Sequence, residues 1–283
     1  MIIKIIMLLW KMFKMLMPKM TESIKRHFAI SLADQLIPIQ HSLHKENELI
    51  SYMAAGTWPF ARHGYALHFS RIMLVKTFPK ASRIVDLGGA ARDNKFGGLV
   101  AMGYPYDFSE LIIVDLPITD RHELYQSGYQ TYEEPIPFKK GIIRYLYTPM
   151  HKINSIADNW ADMIQSGQSI EHVSKEEARL ALKEAYRILR PGGILCLDTV
   201  NSSVARLKQR GFVDPDHKYE YSKTEMTVLL SGVGFEIIDT KGIGWVPQSC
   251  EEHSYIESEL LHNAGLYEDA EHCFILAFRC KKP

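Results

Sequence analysis

The sequence predicts an α/β fold in which N-terminal helices precede a doubly wound sheet of seven strands, mostly parallel with an antiparallel terminal strand. Short apolar, β-branched runs alternate with helical segments from residue 81 onward, which is typical of βαβ units. The first of these runs ends on a glycine pair, where the backbone can turn sharply at the ligand-binding edge of such sheets. Two late runs complete the sheet as a terminal pair.

The composition is that of an ordinary soluble globular protein. The 283 residues suffice for one large α/β domain with an accessory part, and 46% of them are hydrophobic and 23% charged. Lys plus Arg and Asp plus Glu each number 33, so the charge does not favour nucleic acid as a partner. The four cysteines lack the spacings of zinc sites, and Cys196 and Cys273 stand in apolar runs. We therefore expect a reducing, cytoplasmic location, no metal and no disulfide.

Residues 1–20 are predicted to form a basic amphipathic segment. Their longest apolar run, Ile5–Trp10, is far shorter than the ~20 residues of a membrane-spanning helix. On a helix, Lys4, Lys11 and Lys14 form one narrow stripe among apolar side chains. This pattern predicts peripheral contact with the inner face of a membrane. A helix packed on the body of the protein, or an extension without fixed structure, explains the pattern equally well.

Residues 21–80 are predicted to form a helical cap or lid region, and residues 81–283 the main domain. Three segments of the cap have helical periodicity, at 24–36, 48–55 and 65–75. The aromatic residues in this region are typical of a core, and their position just before the first strand would also suit a lid over it.

The elements of residues 81–283 follow from apolar runs and their boundaries. In chain order, the predicted strands are Ile84–Leu87, Leu111–Val114, Gly141–Tyr147, Ala161–Ile164, Ile194–Val200, Phe235–Ile238 and Cys273–Phe278. The clearest helix begins with a capping box, Ser174 and Glu177, and stops at the Arg-Pro-Gly-Gly of residues 190–193. Further helices are predicted to open at Ala90 and to cover 224–230 and 251–263.

Two carboxylates stand where such a sheet binds its ligands. Asp86 precedes the glycine pair Gly88-Gly89, and Asp115 ends the second strand. The second and third glycines of the dinucleotide fingerprint G-x-G-x-x-G are missing, and so is a phosphate-binding loop, which disfavours a nicotinamide oxidoreductase. A ligand with positive charge and a ribose fits better, because Asp115 can accept hydrogen bonds from a ribose diol and Asp86 can bind an ammonium group.

Four segments in this order resemble the motifs of class I S-adenosylmethionine-dependent methyltransferases, most closely the broad small-molecule group called type 11. The segments are Asp86-Leu-Gly-Gly-Ala, Val114-Asp115, Ser166-Gly-Gln-Ser-Ile-Glu-His172 and Ile188-Leu-Arg-Pro-Gly-Gly-Ile-Leu-Cys-Leu-Asp198. The resemblance covers residues 81 to the C-terminus and implies a Rossmann-like fold, S-adenosyl-L-methionine as cofactor and methyl transfer.

The resemblance also implies which residues bind the cofactor. They are Asp86, Leu87, Gly88, Gly89, Ala90, Asp115, Leu116, Met150, Ser166, Gly167 and Gln168. Two later glycine positions of the family motif hold Ala90 and Arg92. This departure leaves an alternative open, a non-catalytic module with a methyltransferase fold that regulates or binds a partner.

We expect the methyl acceptor to be a hydroxyl of a small molecule or glycan intermediate. A hydroxyl must lose its proton as it attacks, and a histidine suits this task near neutral pH. His172 follows the fourth strand and His217 lies in a polar loop after the fifth, so these two are the predicted bases. A purely structural role is the competing interpretation for both, and Glu171 is expected only to support the start of the following helix by its charge.

Overall fold

The computed structural model describes residues 60–92, 94–205, 214–251, 259 and 262–283. The chain divides into two compact units, residues 1–61 and residues 62–283, and the account below concerns the second. The predictions for residues 1–20 and for helices at 24–36 and 48–55 lie outside the described residues. Within the described part, no helix is long and apolar enough to cross a membrane.

The sheet has nine strands, in the spatial order β3-β4-β2-β1-β5-β6-β9-β7-β8. In chain order they are β1 Arg83–Leu87, β2 Glu110–Asp115, β3 Ile136–Phe138, β4 Gly141–Tyr147, β5 Ala161–Gly167, β6 Leu189–Val200, β7 Glu236–Trp245, β8 Leu266–Tyr267 and β9 Cys273–Lys281. The prediction of an α/β, Rossmann-like fold is confirmed, whereas the predicted number of seven strands is wrong. The two unpredicted strands, β3 and β8, lie at the sheet edges and are only three and two residues long.

Five central strands are parallel, and the four outer ones run antiparallel to their neighbours. Strands β4, β2, β1, β5 and β6 pair in parallel. Strand β9 inserts between β6 and β7 antiparallel to both, and the edge strands β3 and β8 are also antiparallel to their partners. The antiparallel part is therefore larger than the single terminal strand predicted from the sequence.

Helices cover both faces of this sheet, as a doubly wound fold requires. They are α1 Phe60–Val75, α2 Gly97–Ala101, α3 Lys175–Ile188, α4 Ser202–Ala205, α5 Lys223–Val233 and α6 Gln248–Glu251. Successive residues of β1 enter opposite cores, since Val85 and Leu87 pack with α3 and α5 while Ile84 packs with α1 and α2. All three are at most 1% exposed, which explains the uninterrupted apolar pattern of this strand.

The observed boundaries confirm the predicted start of the clearest helix and correct the predicted starts of one other helix and one strand. The capping box of Ser174 and Glu177 is present at the start of α3, and five of the helix's apolar residues are buried. The helix predicted to open at Ala90 begins instead at Gly97, because Ala91 and Asn94 pair in an isolated antiparallel β-bridge before it. Strand β6 starts directly after α3, five residues earlier than predicted. Most of the predicted helix at 251–263 lies outside the described residues.

Strand register brings the ends of three neighbouring strands to one edge. Leu87 pairs with Val114 on one side and with Ser166 on the other. The segments that follow these residues therefore start at the same level of the sheet, which is where open α/β folds bind ligands. All four cysteines are buried, as the apolar runs around Cys196 and Cys273 predict for these two.

Candidate functional site

A cavity of about 1050 Å³ lies at this carboxyl edge of the sheet. It is lined by segments from the glycine turn after β1, from the loops after β2, β4 and β5, and from the loop that precedes α5. Of the predicted cofactor residues, those that line it are Gly88, Ala90, Asp115, Leu116, Met150, Gly167 and Gln168. Both predicted histidines, His172 and His217, line it as well.

The turn after β1 depends on glycine at its first position. Gly88 has φ +70°, and a Cβ at this residue would lie 2.5 Å from Cβ of Ser169. The Gly88 amide donates to the Val114 carbonyl at 2.8 Å, which ties the turn to β2. A larger residue would therefore strain the backbone and separate the turn from the segment after β5.

Asp115 is held at the mouth of the turn by three donors. Its Oδ2 accepts from the Ala90 amide at 3.0 Å, and its Oδ1 accepts from the Leu116 amide at 2.8 Å. The Arg121 guanidinium contacts the same Oδ1 at 3.2 Å. Burial raises the pKa of Asp115, and the Arg121 charge opposes this shift. A carboxylate offers about four lone-pair sites, so a diol that donates twice must displace one present donor.

Arg121 is the one side-chain donor among these three, and it was not predicted from the sequence. Its Nε donates to the Leu116 carbonyl at 3.0 Å, and its guanidinium lies over the Tyr129 ring at 4.7 Å. These contacts keep the Arg121 guanidinium beside Asp115 at the cavity wall. Arg121 lies in a loop that no sequence motif marks.

Asp86 lies behind the turn and does not belong to the residues that line the cavity. It is 2% exposed, and its Oδ2 accepts from the Leu99 amide at 3.3 Å. Burial raises the pKa of Asp86 to about 7, the Leu99 amide counteracts this, and the Asp115 carboxylate adds to it. The predicted contact of Asp86 with an ammonium group stays a prediction. In this structure its carboxyl group packs against Gly89 of the turn and accepts from the Leu99 amide.

Three other predicted cofactor residues lie in the same supporting layer. A Cβ on Gly89 would lie 2.2 Å from Cγ of Asp86. The carbonyl of Leu87 accepts from the Ser169 hydroxyl at 2.9 Å, and that hydroxyl lies 2.7 Å from the Ser166 hydroxyl. These contacts fix the path of the turn and leave Gly88 and Ala90 to face the cavity.

An unpredicted ion pair borders the cavity beside the segment after β5. Nε of Arg71, from α1, donates to Asp198 Oδ2 at 2.7 Å, and Gln168 Nε2 donates to the same oxygen at 3.2 Å. Arg71 lines the cavity, while Asp198 is 2% exposed. Gln168 adopts φ +54°, a left-handed conformation that is uncommon for residues other than glycine. Arg71 was missed because it precedes the first strand and belongs to no motif.

The two predicted histidines meet at the far side of the cavity, although 45 positions separate them in the chain. Their ring centroids are 4.8 Å apart and the rings are nearly perpendicular. His172 Nδ1 lies 2.9 Å from Asp216 Oδ2, and His217 Nδ1 lies 2.7 Å from Glu220 Oε1. Because an ionised carboxylate can only accept, each Nδ1 donates, and in a neutral ring the lone pair is then at Nε2.

The acids around His217 change its proton affinity. Burial lowers the pKa of His217, but the hydrogen bond to Glu220 and the nearby charges of Glu171 and Asp214 outweigh it, so the pKa is raised.

Glu171 completes this group, in a place that the sequence analysis did not foresee. It is 0% exposed, its Oε2 accepts from the Thr199 hydroxyl at 2.8 Å, and burial raises its pKa. The side-chain cap of the following helix is Ser174, whereas the Glu171 carboxylate bonds to Thr199 of β6; the expected electrostatic support of that helix by Glu171 stays a prediction. One ligand atom each of Glu171, His172 and His217 lies within 4.8 Å of the others.

Comparisons with known proteins agree with this geometry. Residues 124–197 match the family model described as a methyltransferase domain. A curated protein of Mycolicibacterium smegmatis, named as an S-adenosylmethionine-dependent methyltransferase, is 31% identical over 118 residues, which are 41% of this chain and 38% of that protein. The chain thus matches less than half the length of this relative.

Solved structures show the same fold at low sequence identity. An S-adenosylmethionine-dependent methyltransferase of Thermotoga maritima aligns with a TM-score of 0.51 at 19% identity, over 85% of this chain and 99% of that one. A chain of the Haloferax volcanii complex between the Trm112 methyltransferase activator and a methyltransferase aligns with a TM-score of 0.52 at 14% identity, over 76% and 89%. At these identities the likeness concerns the fold.

Proposed function

Since residues 124–197 match a methyltransferase domain model and a relative named as S-adenosylmethionine-dependent is 31% identical over 118 residues, we propose that the chain transfers a methyl group from S-adenosylmethionine to a hydroxyl of a small molecule or glycan intermediate. One observation carries the proposal: a single cavity reaches from the Gly88 turn and Asp115 to the rings of His172 and His217. Its volume of about 1050 Å³ is at the upper end of the range for one drug-sized ligand, so it has room for cofactor and acceptor together.

The residues on the turn side fit S-adenosylmethionine, the cofactor of this family. The glycine turn allows close backbone approach, the Asp115 carboxylate suits a ribose diol, and the Arg71 guanidinium suits the cofactor's carboxylate. When bound, S-adenosylmethionine supplies an electrophilic methyl group: the O–C bond to the acceptor forms as the C–S bond breaks, sulfur keeps the electron pair and the hydroxyl proton is released.

The chain's own contribution is placement and handling of that proton. Holding donor and acceptor in line supplies much of the rate enhancement for a displacement of this kind. We propose that His172 or His217, each oriented by a carboxylate on Nδ1, accepts that proton; their position in the wall of the same cavity supports this role.

Calorimetry with S-adenosylhomocysteine tests the cofactor part. Asp115→Asn removes the charge that a ribose diol would bind, and we expect a dissociation constant about 10- to 100-fold higher. Asp120→Asn is the matched control, because Asp120 is an exposed acid on the same cavity wall. Equal affinities in the two variants, or tighter binding of NAD than of S-adenosylhomocysteine, would contradict the proposal.

A regulatory module without catalysis is the second candidate, favoured by Ala90 and Arg92 at two glycine positions. The structure accommodates both, since the Ala90 amide donates to Asp115 and Arg92 Nη2 donates to the Leu124 carbonyl at 3.2 Å. Transfer of a radiolabelled methyl group to any member of a panel of hydroxylated acceptors separates the candidates. Cofactor binding without transfer across the panel would favour the regulatory module.

We also propose that residues 1–20 bring the protein to an anionic membrane surface. The lysine stripe and the surrounding apolar residues support this, and an acceptor on a lipid carrier would explain its use. Co-sedimentation of the full chain with anionic vesicles should fall when Lys4, Lys11 and Lys14 are changed to glutamate. Binding that the triple variant retains, or that high salt leaves unchanged, would speak against membrane contact.

A further inference from the structure

We propose that Glu171, His172 and His217 form a site for one divalent transition-metal ion at the acceptor end of the cavity. The site itself follows from these side chains. Its role, which is to bind the acceptor hydroxyl, rests on the methyl-transfer function proposed above.

The three side chains lie next to one another in the cavity wall. One ligand atom from each lies within 4.8 Å of the other two. Ligands about 2.1 Å from a common ion lie roughly 3 to 3.5 Å apart in tetrahedral or octahedral geometry. Side-chain rotations that shorten these separations by about 1 to 2 Å would therefore close the site without a change in the backbone.

Glu171 supplies independent support, because one oxygen of its buried carboxylate has no hydrogen-bond partner among the described residues. The residue is 0% exposed, and Thr199 donates to Oε2, whereas Oε1 is buried and has no hydrogen-bond partner among the residues that the structure describes. Leaving a buried carboxylate oxygen unpaired is costly, and buried charges are normally paired or coordinate metals. A cation between Glu171 and the two rings would satisfy this oxygen.

The histidines are held in the manner of metal ligands. Each bonds a carboxylate through Nδ1, His172 with Asp216 at 2.9 Å and His217 with Glu220 at 2.7 Å. Histidines that bind a metal through one nitrogen almost always donate a hydrogen bond from the other, often to a carboxylate, which orients the ring and raises its basicity. Nε2 is then the nitrogen available to the cation.

The ligand set selects the class of metal. Two imidazoles and one carboxylate suit Mn²⁺, Fe²⁺, Co²⁺ or Zn²⁺, whereas Mg²⁺ and Ca²⁺ prefer all-oxygen sites. Three protein ligands also leave coordination positions open to an acceptor hydroxyl, whose pKa a bound cation lowers. In this arrangement the histidines act as ligands in place of the role as bases proposed above, the cation lowers the pKa of the hydroxyl, and the released proton passes to solvent water.

Titration of Co²⁺ into the chelator-treated full-length chain tests the site, with visible absorption as the readout and no cofactor present. We expect one Co²⁺ per chain and weaker binding of Mg²⁺. Glu171→Gln keeps the shape and removes the charge, and it should raise the dissociation constant for Co²⁺ at least tenfold. His172→Gln, at a less buried ligand, should do the same. Asp120→Asn, an acid of the same cavity outside the cluster, should leave the constant unchanged.

The proposal is overturned if Co²⁺ does not bind at millimolar concentration, or if Glu171→Gln weakens binding less than tenfold. Far-ultraviolet circular dichroism shows whether each variant is folded, and His172→Gln decides the matter if Glu171→Gln is not. Calorimetry with S-adenosylhomocysteine on the same samples separates the two proposals. Cofactor binding without Co²⁺ binding rejects the metal site alone, and Co²⁺ binding without cofactor binding rejects the proposed methyl transfer alone.

Discussion

Replacing Asp86 with asparagine should change how the stability of the protein depends on pH. Asp86 is 2% exposed, and burial raises its pKa from 3.8 to about 7. The folded state therefore keeps a proton that the unfolded state has released between these two values. In this window the folded state binds more protons, so stability falls as the pH rises. Above about pH 7 the Asp86 carboxylate is charged in both states, and the full free-energy cost of burying that charge remains.

The magnitude follows from the difference between the two pKa values. Each unit corresponds to about 1.4 kcal/mol, and integration between pH 4 and pH 7 gives a loss of about 3 kcal/mol in the wild type. Asp86→Asn carries no such loss and keeps an acceptor for the Leu99 amide. From pH 4 to pH 7 the free energy of unfolding of the variant should therefore rise by about 3 kcal/mol relative to that of the wild type.

Urea denaturation at several pH values measures this difference. Asp120→Asn, at an exposed acid, should show a nearly constant difference from the wild type. A difference for Asp86→Asn that stays flat with pH, or falls, would refute the reasoning. The same variant also tests the contact predicted from the sequence: affinity for S-adenosylhomocysteine should fall at least tenfold if Asp86 binds the ammonium group, and change little if it only supports the turn.

Two further substitutions test the turn and the loop after β4. Gly88→Ala should lower the free energy of unfolding by about 1–3 kcal/mol and weaken S-adenosylhomocysteine binding at least tenfold, because a Cβ would lie 2.5 Å from Ser169. Gly103→Ala is the control. Gly103 has φ +79°, and no atom of the described residues lies within 4 Å of a Cβ there, so this variant should show the backbone cost alone. Arg187→Met should cost about 2–4 kcal/mol in urea denaturation, because the guanidinium donates to the buried Ile153 carbonyl at 2.8 Å and to Glu184; a cost below 1 kcal/mol would contradict this.

Local patterns predicted the elements whose residues depend mainly on their neighbours in the chain. The apolar run of β1 and the capping box at Ser174 each have a cause within a few residues, and both were placed correctly. Strands β3 and β8 were missed because two or three residues carry no periodicity and become strands only by pairing with a longer neighbour. The second capping box, at Ser222, was equally readable but overlooked.

The site residues that were predicted correctly are likewise those that a local motif marks. Motifs attached to strand ends selected Gly88, Ala90 and Asp115, all of which line the cavity. Arg71 and Arg121 were missed, because one lies in a helix before the sheet and the other in a loop without a pattern. Nothing in the sequence marks either position, since their importance comes from the acids beside them.

The sequence by itself determined an α/β fold, because alternating apolar runs and a glycine turn after the first strand specify that fold locally, and its residues 124–197 match a methyltransferase domain model. Only the tertiary structure decided what surrounds the cavity. Burial put Asp86 behind the turn, and the parallel pairing of β5 with β6 brought Glu171 against Thr199. Folding also placed His172 and His217 face to edge across 45 positions, a proximity that arises from packing between segments and leaves no trace in residue spacing.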